Sequence, residues 1–204
     1  MSVQPKLPKR PLIIGLTGSI GMGKSTIAAM FIDAGVPVFD ADAVVHKLQG
    51  PTGDLVDQIE AAFAGSTSPN GVDRQKLGAM VWNNPEKLTL LESIVHPAVA
   101  KARVQFFDTN KAADMVVLDI PLLFEKGGSE MLDYIVVVSA PADVQRARVL
   151  SRPGMTEQKF EHILALQLPD AEKRARADYI IDTGETLANT RIALQNLIAK
   201  LNAS

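Results

Sequence analysis

What this sequence lacks narrows its chemistry before any motif is read. It contains no cysteine, which removes disulfides, thiolate nucleophiles and zinc–sulfur sites and suits a reducing cytoplasm. The three histidines, His46, His96 and His162, are far apart and show no zinc spacing. Aromatic residues are scarce, 5% with a single Trp, and the formal charge is only −2. Neither a basic–aromatic stripe nor a global field therefore argues for nucleic acid. No apolar run approaches the length that crosses a membrane. The opening MSVQPKLPKR carries charge and prolines but no apolar stretch, so it reads as a loose tail and not as a secretory signal. A cytoplasmic protein without membrane or nucleic-acid partners is expected. There is no internal repeat and no low-complexity segment.

What is present begins with Gly18-Ser-Ile-Gly-Met-Gly-Lys-Ser25, followed by Thr26. The stretch fits G-x-x-x-x-G-K-[ST], the phosphate-cradling loop of ATP- and GTP-using proteins. The apolar Leu12-Ile-Ile-Gly-Leu16 before it reads as a buried strand. After it, Ile27, Met30, Phe31 and Ala34 repeat at helical spacing until Gly35 stops the pattern. Gly18, Gly21 and Gly23 let the backbone turn and aim its N–H groups at a polyphosphate. A helix beginning near Lys24 adds the positive end of its dipole. Lys24 is the candidate for the terminal phosphates and Ser25 the candidate ligand of Mg²⁺. The candidate ATP-binding set is Gly18, Ser19, Ile20, Gly21, Met22, Gly23, Lys24, Ser25 and Thr26.

With 47% apolar residues over 204 positions, the chain holds enough material for one domain with a small inserted lobe. Four more apolar runs follow: Val36-Pro-Val-Phe39, Met115-Val-Val-Leu118, Tyr134-Ile-Val-Val-Val138 and Tyr179-Ile-Ile181. Separated by helical patterns, the five runs predict an α/β fold: a five-stranded parallel sheet with helices on both faces. Residues 43–108 hold helical patterns and no clear strand, and so predict a helical lobe between the second and third strands. Within it Gly65–Gly71 predicts an exposed connection, Asp73 caps a helix through Trp82, and Asn84-Pro85 opens a long one. His96-Pro97 predicts a kink or break in that helix. Trp82 reads as core, and Lys173, Arg174 and Arg176 as solvated charge. Pro141 opens a helix carrying Arg146 and Arg148, which Arg152-Pro-Gly154 ends.

A phosphate loop does not by itself separate kinases from GTPases, motors or nucleotide switches. The chain leaves little room for a motor. It has no Asn-Lys-x-Asp guanine-reading tetrapeptide, and its third strand ends in Asp119-Ile-Pro, not in Asp-x-x-Gly. The reading that remains is a compact kinase of a small hydroxyl-bearing acceptor. Such an enzyme needs a triphosphate cradle, Mg²⁺, a group that orients or deprotonates the hydroxyl, and positive charge over the transferring phosphoryl. Asp40 or Asp42 supplies the third part, and arginines between Arg146 and Arg152 supply the fourth from a lid. A binding or switch protein with little turnover stays open as the alternative, as does a shikimate- or nucleoside-type kinase.

Taken in order, Gly15-Leu-Thr-Gly-Ser-Ile-Gly-Met-Gly-Lys-Ser-Thr26, Val38-Phe-Asp-Ala-Asp42, His96-Pro97 and Asp119-Ile-Pro-Leu-Leu-Phe-Glu125 resemble the signature series of the dephospho-coenzyme A kinase family. Gln145-x-x-Arg148-x-x-x-Arg152 and Ala177-Asp-Tyr-Ile-Ile-Asp182 continue the series. The resemblance implies transfer of the γ-phosphoryl of ATP to the ribose 3′-hydroxyl of dephospho-CoA, the last step of coenzyme A synthesis. It implies a core over 11–42, 112–145 and 177–204, a helical acceptor lobe over 43–111, and a lid over 146–176, after a tail over 1–10. It departs from the commoner family form at Ser19, where Gly is usual, and at Met22, where Ser is usual.

On this resemblance Asp42 takes the ribose hydroxyl proton, with capping of the following helix as its plain structural alternative. Asp40 is either a weak outer contact to Mg²⁺-bound water or a strand-end cap. Catalysis then rests on Asp42, Lys24, Arg148 and Arg152. Thr17, Asp42, His96, Asp119 and Leu122 form the acceptor side; Asp119 holds Mg²⁺-bound water or the acceptor ribose, or only caps its strand, His96 has a structural hydrogen bond and Leu122 core packing as plain alternatives, and Gly184 marks the adenine-side loop.

Overall fold

The computed structural model describes residues 10–203; of the tail expected over 1–10, residues 1–9 lie outside them. Arg10, the last residue of that expected tail, makes a two-pronged ion pair with Asp133, both contacts at 2.7 Å. The Arg10 guanidinium and the Ile13 N–H hold the Asp133 carboxyl below its ordinary value, against the opposing pull of desolvation.

The elements in chain order are β1 (Leu12–Thr17), α1 (Lys24–Asp33), β2 (Val38–Asp40), α2 (Ala41–Leu48), α3 (Val56–Ala62), β3 (Thr67–Ser68), β4 (Gly71–Val72), α4 (Arg74–Val81) and α5 (Pro85–Thr109). They continue with β5 (Met115–Asp119), α6 (Leu123–Lys126), β6 (Tyr134–Ser139), α7 (Ala142–Leu150), α8 (Glu157–Ala165), α9 (Asp170–Ala175), β7 (Tyr179–Asp182) and α10 (Leu187–Asn202). The chain divides into two compact units: residues through Phe39 together with Asn110 onward, and Asp40–Thr109 between them.

The first unit is built on the expected five-stranded parallel sheet, ordered β2-β5-β1-β6-β7. Its central strands are apolar on both faces because helices cover both, as such sheets require. Ile14, Val116, Val117, Val136 and Val138 are fully buried, and Ile27, Phe31, Leu194 and Leu201 bring α1 and α10 onto them. The register sets Leu16 opposite Asp119 and Thr17 opposite Val137, so the strands deliver their last residues to one edge of the sheet.

The second unit packs around Leu55, Ile59, Phe63 and Leu77, with Leu91, Ile94, Val95 and Ala98 of α5 against them. The 3–4 spacing of those α5 residues puts them on one helix face. Two expectations fail here and a third is narrowed. Of the kink or break expected at His96-Pro97, the break does not occur: α5 runs 25 residues with Pro97 inside. The lobe is not free of strands, since β3 and β4 form a small antiparallel hairpin. Glu60 holds its approach by accepting from the N–H groups of Gly65 and Thr67 and the Thr67 hydroxyl, which also lower its carboxyl pKa. Trp82 is not core: it follows α4 and is 78% exposed. Among the described residues no helix is long and apolar enough to cross a membrane.

Candidate active site

The phosphate loop is the turn from β1 into α1. Gly21 and Gly23 have φ of +77° and +87°, where side chains rarely rest without strain. At Gly21 space adds a second reason, because a Cβ would lie 2.4 Å from Val149 Cγ2 and 3.0 Å from the Gln145 carbonyl oxygen. Gly23 caps α1 without any side-chain bond; the Thr26 N–H turns back to the Gly23 carbonyl at 3.0 Å, which leaves the N–H groups of Lys24 and Ser25 as donors at the helix head.

Lys24 at the head of α1 pairs with Asp119, the buried last residue of β5. The buried Thr17 hydroxyl approaches the Pro121 carbonyl at 3.4 Å. The expected residues Thr17, Lys24 and Asp119 thus meet at the C-terminal edge of the sheet, with half-buried Leu122 just before α6. Ser19 and Met22 are both buried. The Met22 sulfur accepts the Ala140 N–H at 3.1 Å, so its side chain turns into the core.

A cavity of about 440 Å³ opens on the loop, lined by Gly23, Ser25 and Thr26 on one side and by Arg148 and Arg152 on the other. Leu187 and Thr190 of α10 complete the wall. Arg148 is half-buried and locked, donating to the Thr183 hydroxyl at 3.0 Å and to the Thr183 carbonyl at 2.6 Å. Thr183 in turn donates to the Met22 carbonyl at 2.7 Å, which ties the arginine to the loop. Gly184 gives its N–H to Asp182 at 2.7 Å. Arg146 is exposed and paired with Glu157, away from this wall.

The second unit holds the remaining expected residues. Asp40 ends β2 and caps α2, accepting the Ala43 N–H at 3.0 Å. Asp42 stands exposed in the first turn of α2, and His96 is exposed on α5. Asp40 is therefore the carboxylate with the capping role, and Asp42 is the one left to face solvent.

Several residues that matter here were not singled out from sequence. Thr183 hid beside Gly184, and Gln145 appeared only as the first letter of an arginine motif. Gln167 carries no local signal at all. Lys173, expected as solvated charge, is fully buried, with its Nζ 2.8 Å from Glu125 Oε1. The reason is that the segment expected as a charged linker is the helix α9, which turns Lys173 inward. Burial alone would raise the Glu125 carboxyl, but the neighbouring Lys173 ammonium and the hydrogen bond from the Leu168 N–H at 2.8 Å outweigh it and hold the carboxyl below its ordinary value.

Among the described residues no cluster of three acidic, histidine or cysteine side chains forms a metal cage. That suits Mg²⁺ in a phosphoryl-transfer site, which keeps several waters and leans on one or two protein groups plus the substrate phosphates. The Ser25 hydroxyl on the cavity wall is a hard oxygen donor of that kind.

The family model for dephospho-CoA kinase matches residues 12–189. The dephospho-CoA kinase of Novosphingobium aromaticivorans is 62% identical over 189 residues, covering 93% of this chain and 94% of its own. That of Rhizobium etli is 51% identical over 192 residues, covering 93% and 94%. Among solved structures, TT1252 from Thermus thermophilus is 34% identical with a TM-score of 0.78, over 95% of this chain and 99% of its own. The dephospho-CoA kinase from Campylobacter jejuni is 25% identical with a TM-score of 0.66, over 94% and 98%. With its phosphate loop, its sheet and nearly its whole length in register with these enzymes, the chain belongs to the dephospho-CoA kinase family.

Proposed function

We propose that this chain carries out the ATP-dependent phosphorylation of dephospho-CoA, the last step of coenzyme A synthesis, on the ribose 3′-hydroxyl and with the following division of labour. The loop from Gly18 to Thr26 holds the triphosphate through its N–H groups and the head of α1. Lys24 exchanges its Asp119 partner for the terminal phosphates; the meeting of loop, Lys24 and Asp119 at one sheet edge is the observation that carries this reading. Arg148, held in place by Thr183, and Arg152 stabilise the charge that spreads over the transferring phosphoryl. Ser25, with the substrate phosphates, would hold Mg²⁺, which would supply charge neutralisation. Asp40 would contribute, if at all to the metal, through one of its waters.

Asp42 orients the acceptor hydroxyl and takes its proton late, because phosphoryl transfer depends mostly on positioning and electrostatics. Thr17, His96, Asp119 and Leu122 serve the acceptor. The Asp40–Thr109 unit is the acceptor lobe, and residues 146–176 are the lid. We place the enzyme in the cytoplasm, with ATP and dephospho-CoA as its small-molecule partners.

The test is a coupled ADP-release assay with ATP, Mg²⁺ and a panel of dephospho-CoA, adenosine, AMP and shikimate. Turnover with dephospho-CoA alone, yielding CoA, is expected. Turnover with another acceptor would overturn the assignment of the hydroxyl, and ATP binding without turnover would favour a switch.

A further inference from the structure

The peptide of Ile20, inside the phosphate loop, is gripped at both ends by glutamine side chains from elsewhere in the chain. Its N–H donates to Gln167 Oε1 at 3.0 Å. Its carbonyl accepts from Gln145 Nε2 at 2.7 Å. The polarity of the two amides is fixed by chemistry, because a backbone N–H only donates and a carbonyl only accepts. Gln145 is 6% exposed, and its own carbonyl oxygen packs within 3.0 Å of where a Cβ on Gly21 would sit. α7 therefore rests directly on the loop.

Gln167 is anchored in turn. The next residue, Leu168, gives its N–H to Glu125, and Glu125 is paired with the fully buried Lys173. On the other side of Gly21, the Met22 carbonyl accepts the Thr183 hydroxyl, and the Met22 N–H closes a turn onto the Ser19 carbonyl at 3.1 Å. None of these bonds takes the N–H of Gly21, Gly23, Lys24 or Ser25. The back of the loop is thus tied down while those donors are left to the ligand side.

We infer that Gln145 and Gln167 are positioning residues for nucleotide, a two-handed clasp on the Ile20 peptide that holds the phosphate loop in its receiving shape. The inference rests on the reading that this loop binds ATP. A loop with half its backbone groups unheld would have to be ordered by the ligand, and that ordering would be subtracted from affinity.

The opposite polarity of the two amides supplies a test that mere packing would not pass. Gln167→Glu keeps an acceptor for the Ile20 N–H. Gln145→Glu removes the donor and sets a carboxylate against a carbonyl. ATP affinity of the parent, measured by calorimetry with Mg²⁺, comes first; a parent that does not bind ATP sinks the reading of the loop and the clasp with it. Given binding, Gln145→Ala and Gln167→Ala should each weaken ATP about fivefold, with the KM for dephospho-CoA little changed. Gln145→Glu should weaken ATP further, to about tenfold or more, while Gln167→Glu returns to within about threefold of the parent. Should Gln145→Glu not fold, Gln145→Met, which removes the donor without adding charge, carries the same comparison. Equal behaviour of the two acidic variants, or a loss that tracks thermal midpoint and falls equally on both substrates, would reduce the glutamines to packing and overturn the clasp.

Discussion

The two units of this chain present their chemistry in different ways. In the first, Arg148 makes two bonds to Thr183, Lys24 is paired with Asp119, and the loop is bonded to Gln145, Gln167 and Thr183 from three separate stretches of chain, while Ser25, Thr26 and Arg152 stand exposed. In the second, the candidates Asp42 and His96 stand exposed, and the 25-residue helix α5 contains no buried residue. The difference follows from what each side would hold. A polyphosphate is recognised by many backbone donors, whose directions only a rigid frame can set. A hydroxyl acceptor is handled by single side chains, whose worth depends on the substrate in place. Damage in the first unit should therefore be large and spread through stability as well as turnover, and damage at Asp42 should be confined to turnover.

The sharpest break of that comparison is Lys24→Ala. Loss of the loop lysine should lower turnover about 10³-fold or more, as removal of a preorganised charge from a phosphoryl-transfer site does. Steady-state ADP release checks it, and near-normal turnover would remove the loop from the mechanism.

Glu125→Gln comes next and tests the frame behind the loop. It leaves Lys173 buried without its counter-charge, which should cost about 3 kcal/mol of stability. For a chain of this size that is a fall in thermal midpoint of about 6–12 °C. The pH dependence gives an independent check. The Glu125 carboxyl is held below its ordinary value in the folded protein, so its contribution is fully present above the unfolded glutamate value of about 4.3. It is lost as pH falls through the lower folded value. The gap between parent and variant should accordingly be full at neutral pH and close in acid. A double variant, Glu125→Leu with Lys173→Met, should recover much of the loss, because a buried pair replaced by apolar residues is often neutral.

These buried ties also mark where sequence stops being legible. The loop and the five strands could be read because their signals are local: apolar runs, glycines at fixed offsets, a lysine and a serine at the head of a helix. The fold class followed from the same runs. Lys173 was misread because α9 is only six residues long, too short for periodicity to show which face turns inward. Gln167 is invisible for a different reason, since its partner lies 147 positions away and any polar residue of similar reach would look the same in sequence. Pro97 was read as a kink or a break by a rule about one residue, and the break does not occur, because the packing of Leu91, Ile94, Val95 and Ala98 carries α5 through it.

Asp42→Asn should lower turnover about 10²-fold while ATP affinity stays close to that of the parent. Asp40→Asn keeps a side-chain oxygen for the Ala43 N–H, and asparagine caps helices as well as aspartate does, so it should change little. Calorimetry with ATP and ADP-release kinetics on both variants check the pair. The reverse pattern would transfer the acceptor-side role from Asp42 to Asp40 and make the capping bond incidental.

The smallest effect expected is at Trp82, where composition and structure disagree most. A lone tryptophan is usually read as core, yet this one is 78% exposed while Leu77, five residues earlier, is 4% exposed. Surface replacements away from special features fall within about 0.5 kcal/mol, so Trp82→Ser should move the thermal midpoint by only about 1–2 °C. Leu77→Ala, in the same short stretch, should cost about 2–4 kcal/mol, because it opens a cavity in a lobe core built on four buried apolar side chains. The parent reports on the same point without mutation. As the chain's single tryptophan, Trp82 should show the red-shifted emission of an indole in water and be readily quenched by iodide. Blue-shifted, unquenched emission together with a large loss on Trp82→Ser would mean that the indole is covered in solution and that the lobe buries more than its four-residue core.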